Sequence, residues 1–247
     1  LQAGSAEVTA RELLELGVAR IRQQLHDEPL TRARLLVTLG RIHERLGLYR
    51  QAEDLLEEAL AIHERALGPA DGALVPPLRA LAWAYLQTSR LGEAEALLDR
   101  AEAVAERRGD GGEELAAVLR LRLVQLMKQA RLDEAKEVGR RSLALRRRIV
   151  GQDDPEVGMT LSMLGLALLD AGEYAEAEPV LTEALAVLER TMPKGHPQVA
   201  AAMGNVASAR KELGRLEEAE ALYRQALTDL EARLGPEHPD VAVVHND

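Results

Sequence analysis

The 247-residue sequence contains no cysteine and no phenylalanine, and aromatic residues make up only 2% of it. Without cysteine the chain has no disulfide, no thiolate metal site and no cysteine nucleophile. No run of about 18 consecutive apolar residues occurs, which predicts that no segment spans a membrane. No secretory signal opens the sequence. We therefore expect a protein of a reducing compartment, the cytoplasm, and the absence of an initial Met suggests a fragment or a processed product.

The residues that are abundant favour helices. Hydrophobic residues make up 47% of the chain, and Leu, Ala, Glu and Arg dominate the composition, as is typical of packed helices. Few stretches are rich in the β-branched residues that strands prefer. The formal net charge of -10 argues against general affinity for nucleic acid. We expect an all-α protein that binds neither nucleic acid nor membrane.

A pattern of eight residues, first seen at residues 46–53, occurs five times. Each copy keeps one alanine at the same place, and successive copies are 42, 41, 42 and 42 residues apart (Ala52, Ala94, Ala135, Ala177, Ala219). Seven positions later a second column holds small residues (Ala59, Ala101, Ser142, Ala184, Ala226). A third column precedes the pattern (Gly40, Ala82, Leu123, Gly165, Ala207). Small residues at fixed positions let paired helices approach closely, so the period predicts an array of helix pairs.

These columns resemble the tetratricopeptide repeat (TPR) superfamily over about residues 30–245. The common TPR unit has about 34 residues, and a longer unit implies longer helices. The segment Leu-Gly-Pro-Glu-His-Pro-Asp-Val-Ala at residues 234–242 is similar to the linker of kinesin-light-chain repeats, with His or Asp as helix cap and Pro in the first turn. The resemblance implies a right-handed α-solenoid of antiparallel helix pairs, a TPR superhelix.

The repeat divides the chain into seven segments. We predict an N-terminal capping helix, five repeats and the truncated start of a further repeat, with these bounds: 1–29 for the cap, about 30–70, 71–113, 114–154, 155–196 and 197–239 for the repeats, and 240–247 for the last segment. The entry segments 9–29 and 33–42 also resemble the start of TPR arrays that follow the kinase domain of bacterial serine/threonine kinases.

Three departures from the pattern predict local changes. Pro76 and Pro77 fall within the expected start of a helix, and the linker at residues 109–112 lacks the cap and proline. We expect altered helix starts at both places. The third repeat has Leu123 where a small residue is usual and Gly139 where a large one is usual. This combination predicts a compensated swap that moves bulk from one helix to the other.

No arrangement of residues suggests catalysis. The sequence has no Gly-rich phosphate loop, no Gly-x-Ser-x-Gly and no kinase catalytic set. The six histidines are scattered, and His43 and His63 lack a second histidine at the spacing of a helical metal site. We expect no metal, no cofactor and no enzymatic activity in this chain.

The resemblance implies that ligands lie on the concave surface lined by the first helix of each repeat. In this acidic chain those columns are rich in arginine towards the N-terminal half, which suits carboxylates, and an exposed Trp beside Met and Leu would form an anchor pocket. The expected partner is a protein or peptide with apolar anchors and acidic residues. The candidate groove residues are Arg34, Val37, Arg41, Arg45, Arg79, Trp83, Leu86, Arg120, Val124, Met127, Lys128, Ser162, Leu166, Leu169 and Asn205.

Other interpretations stay open at this stage. Trp83 could pack against a neighbouring repeat, the arginines could pair with the many glutamates, and another segment of a parent chain could fill the groove. The leading hypothesis is a non-catalytic protein-interaction scaffold. The alternatives are the regulatory region of a larger bacterial signalling enzyme, such as a serine/threonine kinase, and a solenoid that self-associates through uncapped ends.

Overall fold

The computed structural model describes residues 10–108 and 112–235. This part of the chain contains eleven α-helices, one short 3₁₀ turn at Gly72–Leu74 and no strand, which confirms the all-α fold class. The helices are α1 (Ala10–Gln24), α2 (Pro29–Arg45), α3 (Tyr49–Leu67), α4 (Val75–Gln87), α5 (Leu91–Arg108), α6 (Glu113–Lys128), α7 (Leu132–Val150), α8 (Pro155–Asp170), α9 (Tyr174–Thr191), α10 (Pro197–Glu212) and α11 (Leu216–Leu234). The predicted start of a further repeat at 240–247 lies outside the described residues.

The chain forms two compact units, Leu1–Gly109 and Asp110–Asp247. Helices α1–α5 belong to the first unit and α6–α11 to the second. Within each unit the helices form the predicted pairs, α2 with α3 and α4 with α5 in the first, then α6 with α7, α8 with α9 and α10 with α11 in the second. First helices also contact one another, α2 with α4, and α8 with both α6 and α10. Each unit therefore presents a layer of adjacent first helices.

The pairs are held together by the close approach that the small residues permit. A Cβ added to Gly40 of α2 would lie 2.7 Å from Leu56 Cγ of α3, and Gly165 of α8 is similarly crowded by Leu181 of α9. Leu56 and Leu181 are completely buried. A leucine on the second helix thus occupies the space that a side chain on the first helix would otherwise need.

The third repeat reverses this arrangement, as predicted. Leu123 of α6 is completely buried, and its Cδ2 lies 3.3 Å from the position of an added Cβ at Gly139 of α7. Leu164 Cδ1 of the next pair lies 3.1 Å from the same position. The bulk has moved from the second helix to the first, and glycine makes room for it.

The turns and helix starts agree with most sequence expectations. Asp154 Oδ1 accepts a hydrogen bond from the Glu156 backbone N–H at 2.8 Å, and His196 Nδ1 accepts from that of Gln198 at 3.2 Å. Both caps precede a proline in the first turn. The proline pair of the second repeat instead follows the 3₁₀ turn, which is capped by Asp71 and leaves α4 only 13 residues long. The altered start of α4 is confirmed.

Ion pairs between consecutive repeats repeat with the same period. Glu53 Oε2 lies 2.9 Å from Arg90 Nη1 in the first unit. The equivalent pair of the second unit, Glu178 and Arg215, is 2.6 Å apart. Between them in sequence, Lys136 and Glu173 stand at the same two positions with the charges exchanged, again 2.6 Å apart. In the third repeat this position therefore carries a positive charge where the first and fourth repeats carry a negative one. The third repeat thus departs from the pattern in charge as well as in bulk.

The exchanged bulk predicts a compensating pair of substitutions. Leu123→Ala leaves a cavity and should cost about 2–5 kcal/mol of unfolding free energy, whereas Gly139→Leu overpacks the same space and should cost about 1–3 kcal/mol. The double variant should cost at least about 1 kcal/mol less than the sum, because the new leucine fills the cavity. Chemical denaturation of the four proteins measures these values. The control combines Gly139→Leu with Val206→Ala, which lies on α10, a helix that does not contact α7. The losses of unfolding free energy in this control should be additive. If the losses for Leu123→Ala and Gly139→Leu were additive too, the swap would be contradicted.

Candidate functional site

The first-helix layer of the first unit carries three exposed arginines, Arg34, Arg41 and Arg45, all on α2. Their spacing of seven and four residues places them on one side of the helix. Arg79 on the neighbouring α4 is half-buried and already has a polar or ionic partner. Three of the four predicted arginines of this unit are thus open to solvent.

Trp83 lies on α4 of the same unit and is the single tryptophan of the chain. Its exposed fraction is 37%, so the side chain is not buried in the core. Val37 of α2 is half-buried and packs against the core formed by α1, α2 and α3. An exposed indole next to an arginine-rich helix gives the first unit both an apolar anchor and positive charge.

The prediction that Leu86 belongs to the open face is wrong. Leu86 is completely buried, with 0% of its surface exposed. Three residues correspond to a rotation of about 300° around a helix, so Leu86 lies about 60° from Trp83. That angle moves its side chain from the rim into the core, where an apolar residue gains most from burial.

In the second unit the predicted residues of α6 are only partly available. Arg120 is half-buried, with Nη2 3.4 Å from Glu156 Oε2 of α8, so the expectation of internal pairing applies here. Val124 and Met127 are half-buried, and Lys128 is exposed. The face of α6 therefore offers one free cationic side chain beside two partly covered apolar ones.

Sequence patterns did not indicate the arginine that completes this cluster. Arg146 of α7 is 5% exposed, and its Nη2 lies 3.8 Å from the same Glu156 oxygen that faces Arg120. Glu156 thus stands between two arginines from two other helices. A buried charge needs such a partner, but the pairing depends on helix rotation, which the sequence does not display.

The remaining predicted residues lie on α8 and α10. Ser162, Leu166, Leu169 and Asn205 are all half-buried. Leu169 packs against the core of the second unit, and Ser162 Oγ is buried without a hydrogen-bond partner among the described residues. None of the four is fully open to solvent, and Ser162 retains an unused donor and acceptor.

Glu44 gives the arginine side of α2 an unusual acid. Its Oε1 is buried without a hydrogen-bond partner among the described residues. Burial raises the pKa of Glu44 from 4.5 to about 7, and the nearby charge of Arg41 lowers it in part. Near neutral pH this carboxyl group therefore exchanges a proton beside the exposed guanidinium groups of α2.

The described residues contain neither a metal-binding cluster nor a membrane-spanning helix. Across residues 10–108 and 112–235, no cluster of three or more His, Asp or Glu side chains could hold a metal ion. In the same part of the chain, none of the helices combines the length and apolar character needed to cross a bilayer.

Family models for the tetratricopeptide repeat match residues 31–107, 114–190 and 199–240. The chain belongs to the TPR family. TPR proteins are generally non-catalytic scaffolds for protein–protein interaction, and the matched residues include both first-helix layers described above. The expected family is thus confirmed over most of the chain.

Several solved structures share the fold, and two of them have kinesin-light-chain-like repeats. A Podosopora anserina protein described as a kinesin light chain with nearly identical TPR-like repeats is 23% identical, with a TM-score of 0.70 over 83% of this chain and 97% of that one. BtubC (BKLC) from P. vanneervenii is 20% identical, with a TM-score of 0.76 over 94% of both chains. A Rap protein complexed with Competence and Sporulation Factor is 14% identical, with a TM-score of 0.69 over 95% of this chain and 74% of that one.

Among curated proteins, Nephrocystin-3 of Xenopus laevis is 41% identical over 69 residues. The matched part is 28% of this chain and spans only 5% of Nephrocystin-3. The similarity to bacterial kinase arrays stays a prediction from the sequence.

The buried carboxyl of Glu44 predicts a pH-dependent stability. Between pH 4.5 and about 7 the folded protein keeps a proton that the unfolded chain releases, so stability should fall as pH rises through this interval. Glu44→Gln cannot ionise, so it avoids this loss of unfolding free energy and should be more stable than the wild type at alkaline pH by about 1–2 kcal/mol. This figure is smaller than the full pKa shift implies because Glu44 is partly in contact with solvent. Thermal unfolding at several pH values measures the gain, which should vanish towards acidic pH. Glu137→Gln on the exposed face of α7 is the control, and an equal gain for both variants would contradict the assignment.

Proposed function

We propose that this chain is an interaction scaffold whose first-helix layers bind a peptide or helical segment with acidic residues and apolar anchors. The observation that carries the proposal is the combination of Arg34, Arg41 and Arg45 on α2 with Trp83 on α4. All four side chains are exposed on adjacent helices, and the protein as a whole is acidic. A local positive surface on an acidic protein favours partners of the opposite charge.

The chemistry of these side chains supports the partner class. Guanidinium groups donate two parallel hydrogen bonds to a carboxylate, which gives orientation as well as attraction. An exposed tryptophan that becomes desolvated on binding is among the commonest energetic anchors of interfaces. Together they favour a segment that alternates Asp or Glu with large apolar residues, the pattern of an amphipathic helix or of an extended strand.

The second unit contributes a less charged surface. Lys128 is exposed, while Val124, Met127 and Leu166 are half-buried. Arg120 is already paired with Glu156, which also faces the buried Arg146. An acidic ligand that binds here would have to compete with Glu156, so we assign the principal site to the first unit.

The comparisons support the kind of partner without identifying it. A Rap protein with this fold is complexed with Competence and Sporulation Factor. That likeness concerns the fold alone, and the arginines and tryptophan of this chain supply the specific reason for an acidic, apolar partner. A regulatory role within a larger signalling enzyme and self-association stay predictions from the sequence.

Selection from a displayed peptide library tests the proposal. Peptides that bind the wild-type protein should be enriched in Asp and Glu together with Leu, Phe or Trp. Titration of a selected peptide should change the emission of Trp83, the single tryptophan. Trp83→Ala and the double change Arg41→Glu with Arg45→Glu should each weaken binding at least tenfold, about 1.4 kcal/mol, by anisotropy of a labelled peptide.

A matched control places the same charge change on the second helix. Arg50 and Arg65 are exposed on α3, and replacing both with Glu should leave affinity within about twofold because they lie outside the first-helix layer. Circular dichroism and thermal unfolding confirm that each variant is folded. The proposed site would be refuted if the Arg50/Arg65 double variant lost as much peptide affinity as the Arg41/Arg45 double variant. Selected peptides without acidic residues would refute it as well.

A further inference from the structure

A second candidate site lies in the first unit, between α1, α2 and α3. It is a cavity of about 240 Å³ whose lining residues are Glu15, Val18, Ala19 and Arg22 of α1, His43 of α2, and Gln51, Asp54 and Leu55 of α3. The guanidinium group of Arg22 is already paired with Glu58 Oε2 at 2.6 Å. Pockets for drug-sized ligands are larger, about 300–1,000 Å³, so this cavity suits a single side chain. It shares no residue with the arginine and tryptophan surface of α2 and α4.

His43 gives the cavity a buried polar wall. The side chain is 3% exposed, and its Nδ1 lies 2.8 Å from the Leu39 carbonyl oxygen. Because a carbonyl oxygen can only accept, Nδ1 carries the proton, and in the neutral ring Nε2 keeps its lone pair. No hydrogen bond to Nε2 forms among the described residues. His43 therefore presents an acceptor nitrogen that has no hydrogen-bond partner in the described part of the chain.

The residue at the position of His43 differs between repeats: Tyr85 in the second, Leu126 in the third, Leu168 in the fourth and Arg210 in the fifth. Forty-two residues later, Tyr85 stands at the position of His43 and Glu57 at that of Glu15. Tyr85 is buried, and its hydroxyl donates to Glu57 Oε1 at 2.6 Å. Burial and this hydrogen bond raise the pKa of Tyr85 to about 12. The shorter imidazole of His43 leaves vacant the volume that the phenol ring occupies in the next repeat.

The last repeat fills the same position with a cation. Arg210 stands at the position of His43, and its Nε donates to Glu178 Oε1 at 3.0 Å. Its Nη1 also lies 3.6 Å from Glu218 Oε2, and Glu218 occupies the place of Gln51. The fifth repeat thus accommodates a guanidinium group at this position between two carboxylates. Beside His43 the carboxylates come from different positions, Glu15 and Asp54.

We propose that the cavity beside His43 binds the guanidinium group of an arginine side chain from a partner peptide. The aliphatic part of that side chain would lie against Val18 and Leu55, which are buried. Its N–H groups would donate to His43 Nε2 and to the carboxylates of Asp54 and Glu15. Glu15 has another polar contact of its own, and a carboxylate can accept several hydrogen bonds at once. The ligand would supply the donor that Tyr85 and Arg210 supply in other repeats.

Nuclear magnetic resonance with two matched probes tests the proposal. The probes are N-acetylarginine amide and N-acetylcitrulline amide, which have nearly the same shape but differ in charge. In buffer above neutral pH, where imidazole in water is uncharged, the arginine probe should shift the methyl signals of Val18 and Leu55 and the ring signals of His43. A single side chain without the rest of a peptide should saturate these shifts with Kd of about 1–10 mM. The citrulline probe should bind at least about fivefold more weakly.

Variants connect the response to the cavity. His43→Tyr should fill the space as Tyr85 does and abolish the shifts at Val18 and Leu55. Asp54→Asn changes an exposed residue with little risk to folding and should weaken binding about three- to tenfold. Glu137→Gln on α7 removes the same charge elsewhere and should leave binding unchanged. Absence of saturable shifts with the arginine probe, equal shifts with both probes, or unaltered binding by both His43→Tyr and Asp54→Asn would overturn the proposal.

Discussion

The whole architecture depends on the close approach of the two helices in each repeat. Gly40 and Gly165 leave space that the completely buried Leu56 and Leu181 occupy, and this contact fixes which side of each helix faces its partner. Once that side is set, the opposite side of the first helix must face solvent or a ligand. The exposure of Arg34, Arg41 and Arg45 on α2 follows from packing on the other side of the same helix.

Much of this could be predicted from the sequence because repeats compare a position with its own copies. The alanine column beginning at Ala52 predicts the helix pairs, and the exchange between Leu123 and Gly139 is visible as two departures from one pattern. Caps followed by proline mark the starts of α8 and α10. These features are local or periodic, so they do not depend on the exact rotation of a helix.

Predictions from the sequence were wrong or incomplete where a small rotation of a helix about its axis decides which side chains are buried. Leu86 has the spacing of the open face but lies in the core, and Arg146 joins Arg120 at Glu156 only because three helices meet there. The cavity beside His43 is also invisible in composition. It becomes apparent when His43 is compared with Tyr85 and Arg210, since the same position holds a longer donor in those repeats.

Photo-cross-linking tests most directly whether the first-helix layer is the binding surface. A library-selected peptide would carry a benzophenone group beside its apolar anchor, and mass spectrometry would locate the cross-linked residues. We predict attachment within α2 and α4, concentrated near Trp83, and its suppression by an excess of unlabelled peptide. Attachment confined to the second helices α3 and α5 would contradict it.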